Sequence, residues 1–327
     1  MVYGIESIIN PVSGVPTMKK LLLYAAFLAS AMLTLAAADI HMAGDSTMMN
    51  YRGNAAPQQG WGQRMQELVK DGVTVKNRSI GGRSTKSFKA ERRWDSLLRE
   101  VKKGDYVIIQ FGHNDGTKDK PERYTDPRTE YKENMKGFVE DVRKAGGIPV
   151  IATSIPFGIY LENGSLKPAG FLDPYLKSAR EVAAETKCDL VDLYAYADKE
   201  LNDAGETKGT SLYLVLNPGD YPNYPEGKSD RCHICFRGAL FYAKAFALLA
   251  KQNKLPIAEL FKESDVSPMD AALNAQDIYI VKKAEANAST EAMPGSARAQ
   301  GEVKPEEKKP EAEVKKAGAE PEISILR

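Results

Sequence analysis

Between residues 40 and 250 the chain alternates short apolar runs with longer stretches whose apolar residues recur every three to four positions. A parallel sheet covered by helices produces that alternation, because each crossover must bury one helical face against the strands. Strands are predicted over residues 40–43, 73–80, 106–111, 148–154 and 190–193. The third is almost continuously apolar, as expected where both faces of a strand are buried. Helices are predicted over residues 61–70, where Met65, Leu68 and Val69 share a face, and from Ser84 or Thr85 through Phe88, Trp94, Leu97, Leu98 and Val101. Further helices are expected over 131–144, over 173–185 with Pro174 in its first turn, and over 237–249. Residues 212–228, dense in proline, glycine and tyrosine, read as an ordered loop insertion.

The ends of the 327-residue chain break this pattern. Met18-Lys19-Lys20, an apolar run from Leu21 to Leu35 and then Ala36-Ala37-Ala38 make a secretory signal with cleavage near Ala38. The run is short for a membrane span, which takes ~20 apolar residues. Residues 1–38 are therefore expected to be leader and signal, with Met18 as the natural start, and no stable membrane span is expected after cleavage. From about Val281 the chain is rich in Ala, Glu, Lys and Pro without an aromatic residue. Such a composition cannot bury enough apolar surface to offset the entropy of ordering. The expected division is a folded domain over 39–265 and a low-complexity, disordered tail over 266–327. The formal charge of +1 points neither to nucleic acid nor to an anionic membrane.

Chemistry concentrates where strands end, the crevice edge of an open α/β sheet. Gly44-Asp45-Ser46-Thr47 follows the first strand and presents a serine hydroxyl above the sheet. A serine needs a base to take its proton and a carboxylate to hold that base in the right tautomer. The chain has three histidines. His41 lies inside the first strand and is expected to be packed; His113, in Gly112-His113-Asn114-Asp115, is expected to order a loop. His233 follows the turn-rich insertion and can reach Ser46, with Asp230 three residues earlier to bond its Nδ1. Gly82 offers an open backbone amide and Asn114 a side-chain amide for an oxyanion. Cys188 is expected to be an inert buried thiol. Cys232 and Cys235 admit either a local disulfide or two free thiols with Cys235 turned into the core. Two cysteines and His233 are too few ligands for a zinc site, so neither metal nor cofactor is expected.

This ordered set resembles the SGNH, or GDSL, hydrolase superfamily from about residue 39 to residue 255. Four stretches are similar to rhamnogalacturonan acetylesterases: 43–48, 77–84, 104–115 and 221–228. The resemblance implies a flavodoxin-like three-layer α/β/α sandwich around a central parallel sheet. It also implies Ser46 as nucleophile, Asp230 and His233 as its partners, and an oxyanion hole from the Ser46 and Gly82 amides and Asn114. The implied substrate is an acetylated polysaccharide, rhamnogalacturonan or pectin, met outside the cell or in the periplasm. One stretch departs from the family: Arg231-Cys232-His233-Ile234-Cys235-Phe236 stands where small polar residues usually flank the histidine. The alternatives are a broad GDSL esterase or lipase, a xylan acetylesterase, and a carbohydrate-binding protein without turnover. A lipase should carry a more apolar mouth than Arg52, Arg83, Lys86 and the tyrosine-rich loop suggest, and every expected catalytic position holds a competent residue.

Overall fold

The computed structural model describes residues 38–276. Five strands, β1 (Ile40–Gly44), β2 (Val75–Asn77), β3 (Tyr106–Gln110), β4 (Ile148–Ala152) and β5 (Asp189–Val191), form one parallel sheet in the order β2-β1-β3-β4-β5. That order and the helices on both faces make it the flavodoxin-like sandwich. The register pairs Ile40 with Tyr106 and Gly44 with Gln110, so the residues after β1 and β3 emerge side by side.

Alternation along the strands divides the core. Ile40, Met42, Ile108, Val150 and Val191 belong to one buried cluster, and Ala43, Val107, Ile109 and Ile151 to the other. On the first face lie the short helix α1 (Met65–Leu68), α6 (Leu193–Thr210), α7 (Phe236–Gln252) and α8 (Pro268–Leu273); on the second lie α2 (Thr85–Ala90), α3 (Arg93–Leu98), α4 (Glu130–Lys144) and α5 (Asp173–Thr186). The anchor of the first face is α7, whose Phe241, Tyr242 and Phe246 are fully buried, with Phe246 stacked on Trp61 at 5.6 Å. Burying such a side chain stabilises by ~1.5–3 kcal/mol each.

Several expected elements differ from those observed. The single helix expected from residue 84 is two, because Arg92 takes a left-handed conformation (φ 56°) between α2 and α3. The helix α6 was not expected; its buried positions Leu193, Ala197 and Leu201 give only a narrow apolar stripe. Residues 61–64 form a tight 3-10 turn that leads into α1, and together they end at Leu68. Residues 212–228 include a strand, β6 (Tyr213–Leu216), that pairs antiparallel with β7 (Lys228–Ile234). The domain continues past residue 265. Ser267 caps α8 through the Asp270 amide, and α8 buries Met269 and Ala272 in the first core. The boundary expected at 266 was drawn too early, because this helix is too short to stand out by composition. The leader expected over 1–38, apart from Ala38, and the part of the expected tail beyond 276 lie outside the described residues.

Candidate active site

The turn after β1 is built around a buried carboxylate. Asp45 accepts bonds from the Thr47 amide (2.9 Å) and hydroxyl (2.8 Å), while its carbonyl accepts from the Met48 and Met49 amides. His113 Nδ1 stands 3.6 Å from the other carboxylate oxygen. Burial disfavours the charged carboxyl, but His113 and the Thr47 donors outweigh it and hold its pKa below the ordinary value. His113 lies against this turn and packs edge-on against Phe157 at 5.2 Å. The other histidine, His41, is fully buried and bonded to Asp105 at 3.1 Å. Burial pulls its pKa down, against the pull of Asp105, so it stays neutral in the core.

This turn leaves Ser46 half-buried with its hydroxyl free to meet another element. The Tyr51 hydroxyl fixes the Ser46 carbonyl at 3.0 Å. From 187 residues later, His233 brings Nε2 to 3.0 Å from Ser46 Oγ, and its Nδ1 lies 2.8 Å from Asp230 Oδ2.

Both partners sit on β7, within a local irregularity, where a loop was expected. In a regular strand, residues three apart face opposite sides. Here the ladder pairs Leu214 with Asp230 and Tyr213 with Ile234, so residues 231–233 bulge out of register. Asp230 Oδ1 shapes the bulge by accepting the Cys232 and His233 amides, each at 2.9 Å. Its second oxygen is left for the imidazole. Burial works against the Asp230 charge, but the bonds from His233 and the two amides prevail and hold the carboxyl down at about 2. The same contact acts in reverse on His233: its bond to Asp230 raises the imidazole pKa, against burial.

The expected oxyanion donors occupy neighbouring strand ends. The Ile80 amide bonds the Gly44 carbonyl at 3.1 Å, which ties the segment after β2 to the end of β1. A Cβ on Gly81 would stand 3.6 Å from Ser46 Cβ, so the chain passes close to the serine there. Gly82 then takes φ +76°, which an L side chain rarely adopts. Asn114 is half-buried four residues after Gln110, on the strand beside β1. Behind it, fully buried Asp115 accepts the Thr85 amide (3.1 Å) and hydroxyl (2.5 Å) and the Thr125 hydroxyl (2.9 Å). Burial pushes its carboxyl up to about 7, although the threonine bonds oppose the rise. Sequence reasoning left Asp115 without a role, since nothing local shows that it joins α2 to the loop over 116–129.

All three cysteines are free thiols. Cys188 is buried, and burial pushes its thiol up to about 12. Cys232 and Cys235 are not bonded, which resolves the open pairing. Cys232 lies in the bulge that Asp230 shapes, while Cys235 leaves β7 into the core, its thiol 3.3 Å from the Ser211 carbonyl.

A five-stranded parallel sheet of this order, with a serine, an imidazole and a carboxylate in line at its carboxyl edge, is the architecture of a carboxylic ester hydrolase. The chain belongs to the GDSL-like lipase/acylhydrolase family, whose pattern matches residues 42–233. It is similar to rhamnogalacturonan acetylesterase RhgT of Bacillus subtilis, 33% identical over 220 residues, which are 67% of this chain and 92% of that protein. Probable rhamnogalacturonan acetylesterase YesY of the same organism is 34% identical over 220 residues, 67% of this chain and 95% of its own. The crystal structure of B. subtilis YxiM superposes with a TM-score of 0.58 at 24% identity, covering 67% of this chain and 57% of that one, and shares the fold.

Proposed function

We propose that the protein is an exported serine esterase that removes acetyl groups from a plant cell-wall polysaccharide, rhamnogalacturonan or a related pectin. The observation that carries this reading is the continuous contact from Asp230 through His233 to Ser46 Oγ, at 2.8 and 3.0 Å. The named activity of two relatives that each match two thirds of the chain supports the substrate class. The basic start Met18-Lys19-Lys20, the apolar run from Leu21 to Leu35 and the small residues Ala36-Ala37-Ala38 support export.

In this reading His233 takes the Ser46 proton through Nε2 as Oγ attacks the acetyl carbonyl, and Asp230 holds Nδ1 protonated. Negative charge grows on the carbonyl oxygen, where the Ser46 and Gly82 amides and the Asn114 side chain donate. The tetrahedral species collapses, the sugar oxygen departs with the proton held by His233, and acetyl remains on Ser46. Water, activated by the same imidazole, then releases acetate.

Acetate release from acetylated pectin, acetylated xylan and tributyrin tests the reading. Pectin should give the highest kcat/KM, and Ser46→Ala should lose at least ~10³-fold on it, as removal of a triad nucleophile does. Faster turnover of tributyrin would instead make the protein a lipase. A preference for xylan would overturn the pectic substrate alone.

A further inference from the structure

Arg123 lies on the loop over 116–129, which begins directly after the residues expected to form the oxyanion hole. Its guanidinium covers Gly82: Nη1, Cζ and Nη2 stand 3.3, 3.4 and 3.5 Å from the point a Cβ on Gly82 would occupy. Three atoms of a planar group at nearly equal distance mean that the plane lies face-on over the glycine. The N–H donors, which lie in that plane, then point sideways toward whatever occupies the neighbouring space.

The placement is built rather than loose. Two residues on, Thr125 bonds Asp115 through both its amide (3.1 Å) and its hydroxyl (2.9 Å), and the Tyr175 hydroxyl bonds the carbonyls of Thr125 (2.6 Å) and Asp115 (2.9 Å). The segment carrying Arg123 is thereby locked to the residue after Asn114. Arg123 is also less committed than Arg83, which pairs with Glu91 at 3.1 Å and bonds the Gly81 carbonyl at 2.8 Å. Arg123 has its ion pair with the adjacent Glu122 at 3.5 Å, a side chain 65% exposed. An exposed pair of that length holds little energy and is readily exchanged.

From these observations we infer that Arg123 is a specificity residue that binds a uronate carboxylate on, or next to, the sugar that carries the ester. The inference rests on the esterase reading above and adds a charge requirement to it. A guanidinium packed over Gly82 is within reach of a substrate whose ester carbonyl is held there, and it suits a carboxylate better than any neutral group.

Acetylated galacturonan in its free-acid form and the same polymer methyl-esterified differ only in that charge. Wild-type kcat/KM should favour the free acid. Arg123→Gln should lower kcat/KM on the free acid by about 10- to 100-fold, the scale of one charge-assisted contact, and at least tenfold more than on the methyl ester or p-nitrophenyl acetate. Arg123→Lys should recover part of the loss, which shows that charge is at issue and that the loop still folds. An equal loss on p-nitrophenyl acetate would overturn the inference by making Arg123 a support for the oxyanion. An unchanged preference for the free acid in Arg123→Gln would also overturn it while leaving the esterase reading intact. A wild-type protein that releases acetate from neither polymer would overturn the inference, and one that also fails on p-nitrophenyl acetate would overturn the esterase reading with it.

Discussion

His233 and Asp230 illustrate how one contact sets two titrations in opposite directions. The bond raises the imidazole pKa and lowers that of the carboxyl. Since the base must be neutral to accept the Ser46 proton, activity should be lost as pH falls and should rise through a midpoint above the ordinary ~6.5. A kcat/KM profile from pH 5 to 9 reads this directly, and a midpoint below 6 would contradict it. Asn114→Ala should reduce kcat by ~10²–10³ with little change in KM, because an oxyanion donor acts on charge present only in the transition state. An effect confined to KM would make it a substrate contact. Thiol titration of unfolded, unreduced protein should count three, and reducing agents should leave activity unchanged. The Ser46, Asp230 and His233 positions could be read from the sequence because so few histidines compete for the role of base. Arg123 could not, because its position over Gly82 depends on a loop folding back across forty residues.

Individual elements were legible to the degree that their pattern was local. The buried strands β1, β3 and β4 announce themselves as apolar runs, and α4 and α5 lie within a residue or two of expectation. The β6–β7 pair was not visible, since Lys228, Ser229, Asp230, Arg231, Cys232 and His233 carry no alternation that a bulged, half-exposed strand would need to show. The start of α2 is a better case. Ser84 accepts the Ser87 amide at 3.2 Å while its own amide bonds Ser87 Oγ at 2.9 Å, a reciprocal cap. Ser84→Ala should therefore cost about 1 kcal/mol, within a range of ~0.5–2, measured by urea unfolding. Because Thr85 follows at once and bonds Asp115, the same change should lower activity slightly more than stability alone would explain.

At the scale of the molecule, the domain runs on through α8, past the charged segment before it. A chain truncated after Asp265 loses Met269 and Ala272 from the first core, whereas one truncated after Gln276 keeps them. Their burial is worth ~2–4 kcal/mol at ordinary transfer values. The shorter chain should melt about 5 °C or more below the longer one, given ~2–4 °C per kcal/mol for a domain of this size. Equal melting temperatures would show that α8 is peripheral. Composition misplaced this boundary because a six-residue helix buries three residues, Pro268, Met269 and Ala272, without altering the average polarity around it.

The bulged strand has one more consequence. Asp230 shapes its own neighbourhood through the Cys232 and His233 amides, so carboxylate and imidazole form a cassette held by local bonds. Only the 3.0 Å contact from Nε2 to Ser46 Oγ joins that cassette to the main sheet within the triad, and it spans 187 residues of chain. The nucleophile and its base thus come from opposite ends of the described chain. Hydrolysis requires the β6–β7 hairpin to be docked, so the onset of activity during refolding reports that docking event.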